Sequence, residues 1–181
     1  MDAHAMNPLV PVLLAASAVA SLQKALDSSA AWTMERRLPG SGRTLVSSGE
    51  VRCSAGKGIT WQTLRPFVSS VAMTHDAMVF TDEEGRRVKP LSELPHYADI
   101  RRATDAFAAG RTNAFDGVFS VREEALPGGG WRLSLTPEVP AMRRLFATVE
   151  VTGAELPTNA VLTAADGGTT TIRFMELQGV R

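Results

Sequence analysis

Three histidines, a single cysteine and two pairs of adjacent glutamates are the first residues to weigh for proton transfer or nucleophilic attack. His4 lies in the N-terminal tail, His75 stands beside Asp76 at a hairpin turn, and His96 follows Pro95 at a helix start. A general base needs a positioned partner and a pocket, and none of the three has one in its sequence neighbourhood. Glu123 and Glu124 are neighbours in a strand, so they point to opposite faces and cannot act on one substrate. Glu83 and Glu84 fall in a turn. Cys53 shares parity with Val51 and reads as a small buried hydrophobe. As the only cysteine it excludes an internal disulfide and a cysteine-based zinc site. The glycine runs are no richer. "GSG" at 40–42 is a hairpin tip, "GKG" at 56–58 lacks the spacing and hydroxyl of a phosphate loop, and "PGGG" at 127–130 is a turn. The expectation is a protein that is not an enzyme, with no metal site and no cofactor.

Composition points the same way. The chain of 181 residues is 44% hydrophobic and 21% charged, and is read as one domain over 1–181 with a real core. Its 19 basic residues balance 19 acidic ones, which argues against a partner held by long-range charge such as nucleic acid. The pairs Arg36-Arg37, Arg86-Arg87, Arg101-Arg102 and Arg143-Arg144 are scattered among acids, as on a solvated surface. A monomer is expected.

The elements that must do the positioning are mostly strands. "NPLVPVLLAASAVASLQKAL" has the greasiness of a signal peptide, but "MDAHAM" before it lacks the positive charge a secretory signal needs. It is read as a helix over 8–26, with Asn7 as N-cap and Pro8 in the first turn. Residues 1–7 are then a tail or a signal remnant. No stretch of about 18 uninterrupted apolar residues exists, so no membrane-spanning helix is expected. From Trp32 onward the pattern alternates in short runs bounded by turns, each run sharing one parity: Trp32, Met34 and Arg36; Leu45, Val51 and Cys53; Ile59 and Trp61; Val71 and Met73; Met78 and Phe80. One helix interrupts them, capped by Ser92 and running to Ala109, with Tyr97, Ile100, Thr104 and Phe107 on one face. Strands resume at Phe119 and Val121, then Trp131, Leu133 and Leu135. A short helix around Ala141 to Leu145 precedes Val149 and Val151, Val161, and finally Ile172 and Phe174. About ten antiparallel strands of this kind curl, and the hollow is filled by side chains, by the two helices, or by something laid across it.

The run "SSGEVRCSAGKGITWQTLRPFVSSVAMT" carries Gly49, Trp61 twelve residues later and Pro66 five after that. With "GGGWRLSLTPE" at 128–138 and "GGTTTIRF" at 167–174, it resembles the bacterial periplasmic carriers of outer-membrane lipoproteins, the LolA-like family. The resemblance covers nearly the whole chain. It implies a mainly β fold with α, an incomplete and strongly curved antiparallel barrel of about ten strands covered by helices. It also implies a soluble periplasmic carrier that shelters the acyl chains of a lipoprotein or related lipid on the way to the outer membrane. An inner-membrane donor and an outer-membrane acceptor follow from the same resemblance. Two features depart from it. The family's lid-locking arginine and following proline correspond to Ala55 and Gly56, with Lys57 as the candidate substitute. The chain also ends soon after Phe174, like the shorter members.

The concave face is expected to carry Trp32, Val51, Ile59, Trp61, Val71, Met73, Phe80, Trp131, Leu133 and Phe174, from strand parity and the family match at Trp61. Ile100 and Phe107 are expected on the lid. Packing of these residues on one another as plain core is the competing reading of the same parity. A lipid-sensing regulatory module of the cell envelope on the same fold is the alternative function.

Overall fold

The computed structural model describes residues 28–54, 58–74, 76–93 and 115–176. Eleven strands form one antiparallel sheet: β1 (Ser29–Arg37), β2 (Thr44–Ser54), β3 (Gly58–Arg65), β4 (Ser69–Met73), β5 (Ala77–Asp82), β6 (Gly85–Pro90), β7 (Phe119–Leu126), β8 (Gly130–Pro137), β9 (Phe146–Gly153), β10 (Pro157–Ala164) and β11 (Thr169–Glu176). Their order, β6-β5-β4-β3-β2-β1-β11-β10-β9-β8-β7, is two meanders sewn together where β1 pairs with β11. The sheet is open and curled, and its free edges are β6 and β7.

Register puts one apolar set on one face. Trp32 lies opposite Phe174 and Gly49, Val51 opposite Trp61, Ile59 opposite Met73, and Val71 opposite Phe80. In the second meander Ile172 meets Ala160, Val151 meets Leu133, and Val149 meets both Leu162 and Leu135. The other face is wet and carries the ion pairs Arg52–Glu50, Arg132–Glu124 and Arg173–Glu35, at 3.0 to 3.1 Å. Exposed pairs of this kind add little stability. The driving term is burial of the inner face, since each large apolar side chain fully removed from water contributes about 1.5–3 kcal/mol.

The core is densest over the second meander. Leu135, Val149, Val118 and Ile172 have no measurable exposure, and Phe119 stacks on Phe146 at 6.2 Å between centroids. Phe115, Val118, Val139 and Met142 close over these strands from the segments before β7 and after β8. The short helix expected around 141–145 is present as α1 (Pro140–Arg143), where Pro140 takes a first-turn position that needs no amide hydrogen.

Two expectations need correction. A helical cover is not supported: the four residues of α1 are the only α-helix among the described residues. The helices expected over 8–26 and 92–109 lie outside the described residues, apart from Ser92 and Glu93, which sit in a 3-10 turn (Leu91–Glu93). The expected count of about ten strands is one short, and the extra strand is β6. Its residues, Gly-Arg-Arg-Val-Lys-Pro, are all exposed and show no apolar alternation, so no half-buried strand pattern exists to be read. Charge and a proline suit an edge that must not pair with another chain.

Glycine is required at two places where a tryptophan lies across the neighbouring strand. A Cβ at Gly49 would overlap the Gln62 carbonyl oxygen and stand 2.8 Å from the Trp32 ring. One at Gly153 would overlap the Leu156 carbonyl oxygen and stand 2.7 Å from the Trp131 ring. Gly49→Ala is expected to destabilise the fold by about 2 kcal/mol through overpacking, lowering Tm by about 5 °C. Thermal melts of the variant beside Gly40→Ala, whose turn has open space but a positive φ, check this.

Candidate functional site

The geometry explains the spacing of Gly49, Trp61 and Pro66. The β2–β3 hairpin pairs Val51 with Trp61 and Gly49 with Thr63, so Trp61 sits diagonally beside Gly49. The missing side chain at 49 opens the inner face of β2, and through that gap Trp32 from β1 stacks on Trp61 from β3. Their centroids are 4.8 Å apart with planes 27° from parallel. Phe174 meets Trp61 edge-on at 6.2 Å. Pro66 begins the turn out of β3, and the Arg65–Pro66 peptide is cis.

All ten residues expected on the concave face share the inner face in this register, but they do not share one environment. Trp131 and Leu133 belong to the closed core of the second meander, Leu133 at 1% exposure. Trp32, Val51, Ile59, Trp61 and Met73 are buried on the first meander, whereas Val71, Phe80 and Phe174 are half-buried. The result is an apolar shelf running from β11 across β1 to β5, buried at Trp32, Trp61, Met73 and Met78 and half-open at Val71, Phe80 and Phe174. Cys53 and Met34 lie on the same shelf, packed against the core. Ile100, Phe107, Ala55, Gly56, Lys57 and all three histidines lie outside the described residues.

The two tryptophans laid over glycines differ in one respect. Trp131 donates its indole N–H to the Ala154 carbonyl at 2.7 Å. Trp32 is 1% exposed, and its indole N–H has no acceptor among the described residues. An unmet donor at such depth costs about 1–3 kcal/mol.

A second feature stands at one end of the sheet. Phe67 and Val68 project from the β3–β4 turn at 72% and 59% exposure, beside exposed Leu64, Leu45 and Val46. Arg36, Arg37, Arg43 and Arg65 are exposed at the same end, since Arg36 pairs with Leu45 and Arg37 with Thr44. Among the described residues none of these four guanidiniums is in an ion pair. Parity within strands could not reveal this group, because it comes from strand ends and a turn. The nearby β5–β6 turn is different: Arg87 bonds to Asp82 and Glu84, and the Asp82 hydrogen bond holds its guanidinium pKa above the ordinary value.

What these elements define is an open antiparallel cradle with an apolar inner shelf, and among the described residues no cluster of three or more potential metal ligands. No family model matches the chain, and no curated protein matches it. Solved structures do. A LolA superfamily protein from Nitrosomonas europaea matches at 12% identity and a TM-score of 0.42, covering 92% of this chain and 96% of that one. An outer membrane lipoprotein-sorting protein domain from Vibrio parahaemolyticus matches at 13% and 0.41, covering 90% and 92%. The MucA/MucB complex of Pseudomonas aeruginosa matches at 13% and 0.44, covering 86% of this chain and 53% of that one. Likeness of this size does not choose a function; the cradle's own residues must.

Proposed function

We propose that this chain is a non-enzymatic acyl-chain carrier of the cell envelope, working in the periplasm. It shelters the acyl chains of a lipoprotein or related lipid on the shelf between β11 and β5, between an inner-membrane donor and an outer-membrane acceptor. The observation that carries the reading is the graded shelf itself: a continuous apolar face, closed over the second meander and half-open at Val71, Phe80 and Phe174. An acyl chain gains about 0.8 kcal/mol per methylene removed from water, so area and shape suffice and no charge is needed. The test is organic extraction of the protein purified from envelope fractions, followed by mass spectrometry. Acylated molecules enriched over a control protein support the reading, and their absence from freshly purified, folded protein counts against it.

The apolar tip at Phe67 with its ring of arginines fits the anionic surface of a lipid bilayer, where a carrier must collect or deliver its cargo. Each arginine near such a surface is worth about 1 kcal/mol at modest ionic strength. Replacing both Arg36 and Arg37 by Gln is therefore expected to weaken sedimentation with anionic vesicles by about thirtyfold. Acyl binding in the absence of vesicles should change less than about twofold, because both residues are exposed at the sheet end. Equal vesicle binding by parent and variant would remove this surface from the mechanism.

A further inference from the structure

We propose that the indole N–H of Trp32 is the polar anchor of the cradle. It donates a hydrogen bond to the carbonyl oxygen of an ester or amide at the head of the acyl chain. The inference rests on the carrier reading and adds a cargo class to it: chains joined to a headgroup through a neutral carbonyl, in preference to hydrocarbons and free carboxylates.

Trp32 and Trp131 each lie across a register-paired glycine, Gly49 and Gly153, one in each meander. In the closed meander the indole donor is met by the Ala154 carbonyl at 2.7 Å. In the meander with the half-open shelf the same donor is buried and unmet among the described residues. Buried polar groups are nearly always paired, so an orphan in one of two like settings points to an acceptor that arrives from outside. Its surroundings select that acceptor. Gly49, Phe174, Met34, Val51 and Ile172 around it carry no charge. A carboxylate held there would lie buried without a counter-ion among the described residues, which costs far more than burying a neutral carbonyl. The carbonyl of an ester or amide needs only the one donor. Trp61, stacked on Trp32, and half-buried Phe174 leave the aliphatic part of the ligand an apolar surface beside that donor.

The test uses the whole chain labelled with nitrogen-15 at its tryptophan indoles and titrated with methyl laurate, laurate or tridecane. The Trp32 resonance is assigned by its loss in Trp32→Phe. With methyl laurate the Trp32 indole proton is expected to move downfield while that of Trp131 stays in place. With tridecane no such move is expected, and laurate should bind more weakly than its ester. In Trp32→Phe the affinity for methyl laurate should fall about tenfold further than that for tridecane, the scale of one buried hydrogen bond and its orphaned partner. Equal indole shifts with ester and hydrocarbon, or equal losses of both ligands in Trp32→Phe, would overturn the anchor and leave Trp32 as packing or as the site of a buried water. If Trp32→Phe does not fold, the parent's indole shift still decides. A parent that binds none of the three ligands defeats the carrier reading itself, and the anchor with it. A parent that binds ester and hydrocarbon alike defeats only the anchor.

Discussion

Val71→Glu is expected to fold normally and to bind a fluorescent fatty-acid methyl ester about a hundredfold more weakly than the parent, since an unpaired carboxylate beneath an acyl chain costs about 3 kcal/mol or more. Val71 is half-buried between its register partners Trp61 and Phe80, so without ligand the new carboxylate can still reach water and the sheet should survive. Laying a chain over it removes that water, and the cost falls on binding. Thr60→Glu adds the same charge one strand away but on the wet face, where Thr60 is exposed, and should bind within about twofold of the parent. Circular dichroism must be native for both variants, and fluorescence titration then gives the ratio. Native Val71→Glu binding like Thr60→Glu would place the ligand elsewhere.

Leu133→Glu should behave in the opposite way and lose cooperative folding altogether. Leu133 is 1% exposed and faces Val151, also at 1%, inside the closed meander. A carboxylate there has no route to water, and several kcal/mol of desolvation is most of the about 5–15 kcal/mol by which a domain is stable. A thermal melt should show no transition above room temperature. A folded Leu133→Glu variant with normal stability would mean that the second meander is not a dry core. Together the two substitutions separate residues that strand parity places in one class: Leu133 holds the sheet, whereas Val71 is free to hold a ligand.

That separation marks how much is legible in the sequence. Period-two alternation locates about ten strands, because a half-buried strand writes its apolar face into every second residue. It also groups the inner-face residues within each strand, and the hairpin register then joins those groups across the sheet. Strand β6 stays invisible because an exposed edge strand has no apolar face to write. The spacing of Gly49 and Trp61 is visible as a motif, but its cause is not. Only the register shows that glycine clears the inner face for Trp32 to reach Trp61. The fate of the two indole donors depends on a carbonyl supplied by the turn after β9, a contact that composition and period do not carry. The arginines around Phe67 read as a scattered solvated surface for a similar reason: strand ends far apart in sequence meet only when the sheet is built.

If an acyl chain lies on the shelf beside Trp32 and Trp61, a fatty-acid methyl ester brominated in its chain will report it most directly, because bromine quenches an indole only on near contact. Titration with this ester is expected to quench the parent's tryptophan emission saturably. The quenching should be retained in Trp131→Phe, whose remaining indoles are Trp32 and Trp61, and largely lost in Val71→Glu. Quenching that is absent, that does not saturate, or that disappears with Trp131 while Trp32 and Trp61 remain would contradict an acyl chain on this shelf.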